Sequence, residues 1–246
     1  MIAVALADIS RLTRRRGLML SGLLVPIGIV LLVTAVMVIL HERDPFEHPA
    51  VGGTALLDAV NLISLVTMIF GTLIGAIVGA EDSANGTLRY ILLTGFSRLR
   101  LFLVRIPVVL VASIGIALPA LVLLILAALI LPSSGDAIAI GDVLQALLVI
   151  AVECGVYALI AYGIGSAFRS VGAAIAIALG LNLIGLNVVS AITLLVPALE
   201  SWMLPQATER VLGGGSGSLG VALLALAIWV GAFLAVGLFR ATRAEA

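Results

Sequence analysis

The chain contains no lysine: all 13 of its basic residues are arginine. That excludes a self-contained P-loop NTPase, whose phosphate-gripping lysine is part of the mechanism, and any enzyme working through a lysine Schiff base. Cysteine is almost absent too. Cys154 stands alone, so neither an internal disulfide nor a cysteine-based zinc site is available, and cysteine usage says nothing of redox compartment. Charge is scarce, at 11% of residues against about 25% in an ordinary soluble domain. The 13 acidic and 13 basic residues cancel, and a net charge of zero gives no sign of a nucleic-acid partner.

What fills the chain instead is apolar. Of 246 residues, 63% are hydrophobic and the mean hydropathy is +1.32, against about 45–50% apolar residues in soluble domains. A water-soluble core cannot hide that surplus, so lipid is the solvent for most of the chain. A helix needs about 20 apolar residues to cross the hydrocarbon core. Six stretches qualify, at about 18–40, 56–79, 105–131, 143–168, 171–196 and 219–239. The breaks between them carry turn chemistry: a charged run with two prolines from His41 to Pro49, the cluster Pro132-Ser133-Ser134-Gly135-Asp136, the hinge Phe168-Arg169-Ser170, and the glycine-serine linker 213–218. No internal repeat is evident. The expectation is an all-α membrane protein, a single domain over 1–246 with six transmembrane helices.

The arginines orient it. With the N-terminus in the cytoplasm, Arg11, Arg14, Arg15, Arg16, Arg89, Arg98, Arg100, Arg105, Arg169, Arg240 and Arg243 all fall inside, and Arg43 and Arg210 outside. This is the positive-inside bias, and it puts both termini in the cytoplasm. Thr13-Arg14-Arg15-Arg16 faintly resembles a twin-arginine export signal. The 23 apolar residues that follow, with no small-residue cleavage pattern, read instead as a membrane anchor. Residues 1–17 place Ile2, Ala5, Leu6, Ile9, Leu12 and Thr13 on one side of a helical wheel and Asp8, Arg11, Arg14 and Arg15 on the other. That is an amphipathic interfacial helix with arginines toward anionic headgroups, or a short basic topogenic tail.

Between the second and third spans lies a cytoplasmic loop, 80–104. Glu81-Asp82 precede Asn85-Gly86, where a helix should break, and Thr87 can cap a second one carrying the apolar stripe Leu88, Ile91, Leu92 and Phe96. Gly95 and Ser97 mark another stop and start before Arg98 and Arg100. A short amphipathic helix held at a membrane face suits the docking of a soluble partner, and equally an ordinary re-entry turn.

The run Glu81…Gly86-Thr87-Leu88-Arg89…Leu92-Leu93-Thr94…Ser97-Arg98 resembles the first cytoplasmic loop of ABC-transporter permeases of the type-2 exporter superfamily. Gly95-Phe96 stand where that family usually places a proline. The similarity extends to the plan of an interfacial helix followed by six spans, and to Arg169-Ser170 before Gly172-Ala173-Ala174 as a second cytoplasmic turn. The resemblance implies a transport subunit without catalytic residues, in the bacterial cytoplasmic (inner) membrane, pairing with itself or a related permease. It implies no cofactor bound by this chain, with ATP and Mg2+ on a separate ABC ATPase subunit. The docking role it implies falls on Glu81, Asp82, Gly86, Thr87, Leu88, Arg89 and Arg98, and on Arg169. The heme-exporter permeases share the span count and size.

Polar groups inside the spans are the remaining candidates. Glu153 lies mid-span, where a carboxylate costs about 2.5–3.5 kcal/mol on insertion scales. It is expected to be protonated, paired or facing a water-filled cavity, with Tyr157 one turn on as a donor. Asn182 and Asn187 offer interhelical hydrogen bonds. The functional reading of these residues is a substrate path; the other is adhesion between helices. Gly71, Gly75 and Gly79 form two successive G-xxx-G steps, a flat stripe for close packing within the subunit or across a dimer. Pro26, Pro107 and Pro119 are expected to bend their helices. His41, Glu42, Glu47 and His48 do not have metal-ligand spacing, because Pro45 occupies the position of the second histidine of H-E-x-x-H. Residues 197–205 read as an amphipathic hairpin with Trp202 at headgroup level. Beside the ABC-permease reading stand two others, a proton-coupled secondary transporter and an intramembrane enzyme, each built on Glu153.

Overall fold

A computed structural model gives the fold and describes residues 2–44, 59–87, 93, 95, 97–131, 138–168, 170–191, 193, 195–213 and 218–243. Among these residues the secondary structure is helical throughout, with no strand. The order is α1 (Ile2–Arg14), α2 (Arg16–Arg43), α3 (Val60–Ala84), α4 (Arg98–Ile130), α5 (Ile140–Ala167), α6 (Val171–Gly180), α7 (Leu186–Ala191), α8 (Leu204–Val211) and α9 (Leu219–Arg243). Five of them, α2, α3, α4, α5 and α9, are long and apolar enough to cross a membrane. Their outward faces carry exposed leucines such as Leu24, Leu32, Leu129, Leu144 and Leu223. In water such a surface would aggregate; against acyl chains it is at rest. The chain is a multi-pass membrane protein.

The helix ends follow local chemistry. α1 stops at Arg15, whose backbone (φ −77°, ψ 70°) leaves the helical region before α2 begins. α3 ends at Asn85 and Gly86, the latter at φ +67°, a left-handed conformation that a residue with a Cβ adopts only at a cost. Ser97 caps α4 by accepting the Arg100 amide at 3.3 Å, and Ser170 caps α6 through the Ala173 amide at 3.4 Å. The Asp142 carboxylate holds the start of α5 by accepting the Ala139 amide at 2.9 Å. Pro26, Pro107 and Pro119 lie inside α2 and α4.

α5 is the axis of the bundle. α3 packs along it more extensively than any other described pair, with α9 on another flank and α4 against both α3 and α5. The glycine stripe makes this possible. A Cβ on Gly71 would lie 2.8 Å from the Cys154 carbonyl oxygen, and one on Gly79 would lie 2.6 Å from that of Tyr162. A Cβ on Gly75 would overlap the Ala158 carbonyl outright. Gly165 returns the contact against the Ala76 backbone. The stripe is therefore spent inside the subunit, which decides between the two alternatives its sequence left open. Gly163 and Gly237 do the same for α5 and α9. The α3–α5 seam buries Ile74, Ala76, Ala158 and Ala161 completely.

Four expectations change. The stretch 171–196 is not one helix. A π-turn, Leu181–Gly185, separates α6 from α7, with Gly180 and Gly185 at its flank and end, and the segment is not among the long apolar helices. The loop between the second and third spans is shorter than 80–104, because α3 runs on to Ala84 and α4 begins at Arg98; Glu81, Asp82, Arg98, Arg100 and Arg105 are all helical. In α1, Asp8 does not face outward with the arginines. It is buried toward α4, where Arg105 needs an anion, while Thr13 is exposed. The hairpin expected over 197–205 is a 3-10 turn, Pro197–Trp202, followed by α8. Leu204 and Ala207 are fully buried, and the Trp229 indole of α9 donates to the Trp202 carbonyl at 2.9 Å.

The seam makes a sharp prediction. Gly75→Ala should overpack a backbone-to-backbone contact and lower the thermal midpoint by the equivalent of about 1–3 kcal/mol or more. Gly115→Ala, where no atom lies within 4 Å of the added Cβ, should leave it unchanged or raised. Thermal unfolding of both variants in one detergent is the check.

Candidate functional site

Two polar clusters occupy opposite ends of the α3–α5 seam. At the arginine-rich end, Arg105 of α4 is buried at 6% exposure. Its Nε donates to Asp8 of α1 at 3.1 Å, and its Nη2 donates to Asp82 of α3. Asp82 is itself only 2% exposed. Its other oxygen accepts from Arg11 at 2.9 Å and from the Thr87 hydroxyl at 2.9 Å. Arg15 donates to Glu81 at 2.6 Å. Beside this network the Tyr162 hydroxyl donates to the Phe102 carbonyl at 2.9 Å, linking α5 to α4. Arg98 reaches the carbonyls of Ala241 and Thr242 at 3.3 and 3.2 Å, so the end of α9 is tied to the start of α4.

Three of the expected docking residues have partners within the chain. Asp82 is enclosed and satisfied by donors of its own chain, so its side chain offers nothing to a partner. Glu81 is paired within the subunit as well. The Thr87 hydroxyl donates to the buried Asp82 carboxylate. These residues build a platform, and the exposed Gly86 stands at its edge. Leu88, Arg89 and Arg169 lie outside the described residues. Near the same end, a groove of about 640 Å³ runs between α5 and α9, lined by Ser83, Phe168, Phe239, Arg240 and Arg243 among others. Arg243 stacks over the Phe239 ring at 4.1 Å.

At the other end α3, α5, α7, α8 and the π-turn line an open cavity of about 590 Å³. It brings together Glu153 and Tyr157 of α5 and Asn182 of the π-turn, three residues the sequence singled out. Its mouth is polar, with Asn61, Gln145 and the exposed Glu209, and its walls include Leu65, Met68 and Leu186. Tyr157 lies one turn from Glu153 on α5, and Ser64 of α3 and Thr208 of α8 line the same cavity. Asn182, 6% exposed, donates its amide to the Thr72 hydroxyl, an interhelical bond of the expected kind. Asn187 falls in α7, with its side chain outside the described residues. No group of three or more His, Cys, Asp or Glu residues that could hold a metal occurs among the described residues.

Sequence reasoning missed the partners. Arg105 entered only as a topogenic charge, although its setting, Phe102-Leu103-Val104-Arg105-Ile106-Pro107-Val108, is an arginine inside an apolar run. Asp8 is the lone acid of a basic helix, and that isolation was its signal. Ser64, Thr208 and Glu209 carry no local signal; only the fold brings them to Glu153. Comparison with protein-family models, with curated proteins and with solved structures gave no match.

The clamp predicts an unequal pair of effects. Arg105→Gln strands two buried carboxylates and should destabilise by about 3–5 kcal/mol. Arg15→Gln removes a pair whose arginine side chain is 38% exposed and should change stability by about 0–1 kcal/mol. Thermal unfolding in lipid nanodiscs measures both.

Proposed function

We propose that this chain is the membrane-spanning permease subunit of an ATP-driven transporter of the ABC type, an exporter in the bacterial cytoplasmic membrane. The observation that carries the reading is the pairing of two features across one helical bundle. A polar cavity reaches Glu153 from one end, and the opposite, arginine-rich end presents the 85–97 loop. The resemblance of that loop to type-2 permeases supports the assignment. So does the missing lysine, which sends ATP and Mg2+ to a separate subunit.

In this reading the interrupted segment 171–191 completes six crossings, both termini are cytoplasmic, and α1 lies at the inner interface. Two such subunits, identical or related, form the pathway. The ATPase docks on Gly86, Leu88, Arg89 and Arg98, with Arg169 on the neighbouring turn; Glu81, Asp82 and Thr87 brace the platform beneath them. Hydrolysis is transmitted through the Arg105 clamp to the α3–α5 seam, and the cavity at the far end changes its access. The Glu153-lined cavity also favours a second reading, a proton-coupled secondary transporter. Uptake by proteoliposomes under a pH gradient without ATP separates the two.

The docking assignment is tested by co-expressing the chain with the ABC ATPases of its source genome, those of any adjacent genes first, and isolating the complex. Wild type should yield a stable assembly with membrane-coupled ATPase activity. Leu88→Ala with Arg89→Ala should reduce recovery about 10-fold or more, as removal of interface anchors does. Failure of the wild type to form a complex, or undiminished recovery of the double variant, overturns the assignment.

A further inference from the structure

Hydrogen-bond accounting in the 590 Å³ cavity identifies what it lacks. A hydroxyl has one proton to give. Thr72 gives its proton to the Met68 carbonyl at 2.9 Å, so toward Asn182 it can only accept. That fixes the Asn182 amide: Nδ2 points at Thr72, and Oδ1 is the atom left over. Oδ1 is buried and has no partner. Asn182 lies in the π-turn that interrupts the α6–α7 segment, and such turns are frequent at functional sites.

The wall hydroxyls are engaged within their own helices. Thr208 gives its proton to the Leu204 and Pro205 carbonyls at 3.1 and 2.7 Å, and Ser64 gives its proton to the Asn61 carbonyl at 2.8 Å. Asn182 Oδ1 is left over, and the Glu153 carboxyl lines the same cavity. An unpaired buried acceptor costs about 1–3 kcal/mol, and a mid-membrane carboxylate more. Both are relieved by a guest that brings N–H groups and positive charge.

We propose that this cavity binds the ammonium group of an amphiphilic organic amine, held by the Glu153 carboxylate and the Asn182 Oδ1, with the apolar part of the guest against Leu65, Met68 and Leu186. The proposal deepens the transport reading, on which it rests, by naming the substrate class. A primary alkylammonium carries three donors, enough for acceptors on two walls of the cavity. A neutral amide of the same shape brings fewer donors and no charge to offset Glu153.

The test is a fluorescence titration of the chain in phosphatidylcholine nanodiscs with dansylcadaverine, against empty nanodiscs of the same lipid. N-acetyl-dansylcadaverine serves as the neutral counterpart. The amine should bind saturably and about 10-fold or more tightly than the acetylated probe, the size expected of a charge-assisted hydrogen bond. Glu153→Gln should erase that preference, and Asn182→Asp should strengthen it. Glu200→Gln, an exposed residue outside the cavity, should change nothing. Equal affinity of the two probes for the wild type overturns the proposal, as does a preference that survives Glu153→Gln. If Glu153→Gln does not fold, the wild-type probe comparison and Asn182→Asp decide. The titration uses no ATPase, so a negative result removes the amine site and leaves the transport reading to complex formation.

Discussion

The backbone contact between α3 and α5 is what the rest of the structure depends on. Gly71, Gly75 and Gly79 bring the two helices closer than any side chain permits, onto the carbonyls of Cys154, Ala158 and Tyr162. In lipid the hydrophobic effect does not drive helices together, so close packing of this kind must do so. The seam also sets a register. One end of α3 delivers Asp82 to Arg105, and the other delivers Ser64 to the wall that holds Glu153. A helix held at ordinary distance would leave a buried aspartate without its arginine at one end and a wider, wetter cleft at the other.

The two polar clusters have opposite accounting, and the contrast separates structure from function. At the arginine-rich end Asp82 has a donor for each oxygen, and Arg105 spans two carboxylates. A satisfied network is rigid and joins α1, α3 and α4 into one body. At the other end the buried Asn182 Oδ1 has no partner, and the helix is π-wound where Asn182 sits. A buried acceptor left without a donor beside an open cavity is arranged for something else to supply one.

The sequence showed this division only in part. Long apolar stretches and turn chemistry gave all-helical character and placed five of the six expected spans on membrane-length helices, although α4 starts at Arg98 rather than at 105, because lipid leaves a backbone few other choices. Glu153, Tyr157 and Asn182 were legible as costly polar residues, and the structure lines one cavity with all three. What could not be read were tertiary partners. The wheel put Asp8 with the arginines because amphipathicity averages a face and cannot see one buried arginine on another helix. Glu81 and Asp82 looked available because a charged pair after an apolar span reads as solvent-exposed. The break at Leu181 was hidden, since a π-turn needs no glycine-proline signal and the apolar run continues through it.

The central claim is that the two clusters face opposite sides of a membrane, the cavity outward and the clamp inward. Cys154 is the single cysteine and is fully buried, so cysteines introduced one at a time report alone. Asn61→Cys and Glu209→Cys at the mouth of the cavity should react with a membrane-impermeant maleimide in intact cells. Ser83→Cys and Arg240→Cys at the arginine-rich end should react only after the membrane is opened. Labelling of both ends from the same side, or of the arginine-rich end alone in intact cells, would contradict the account.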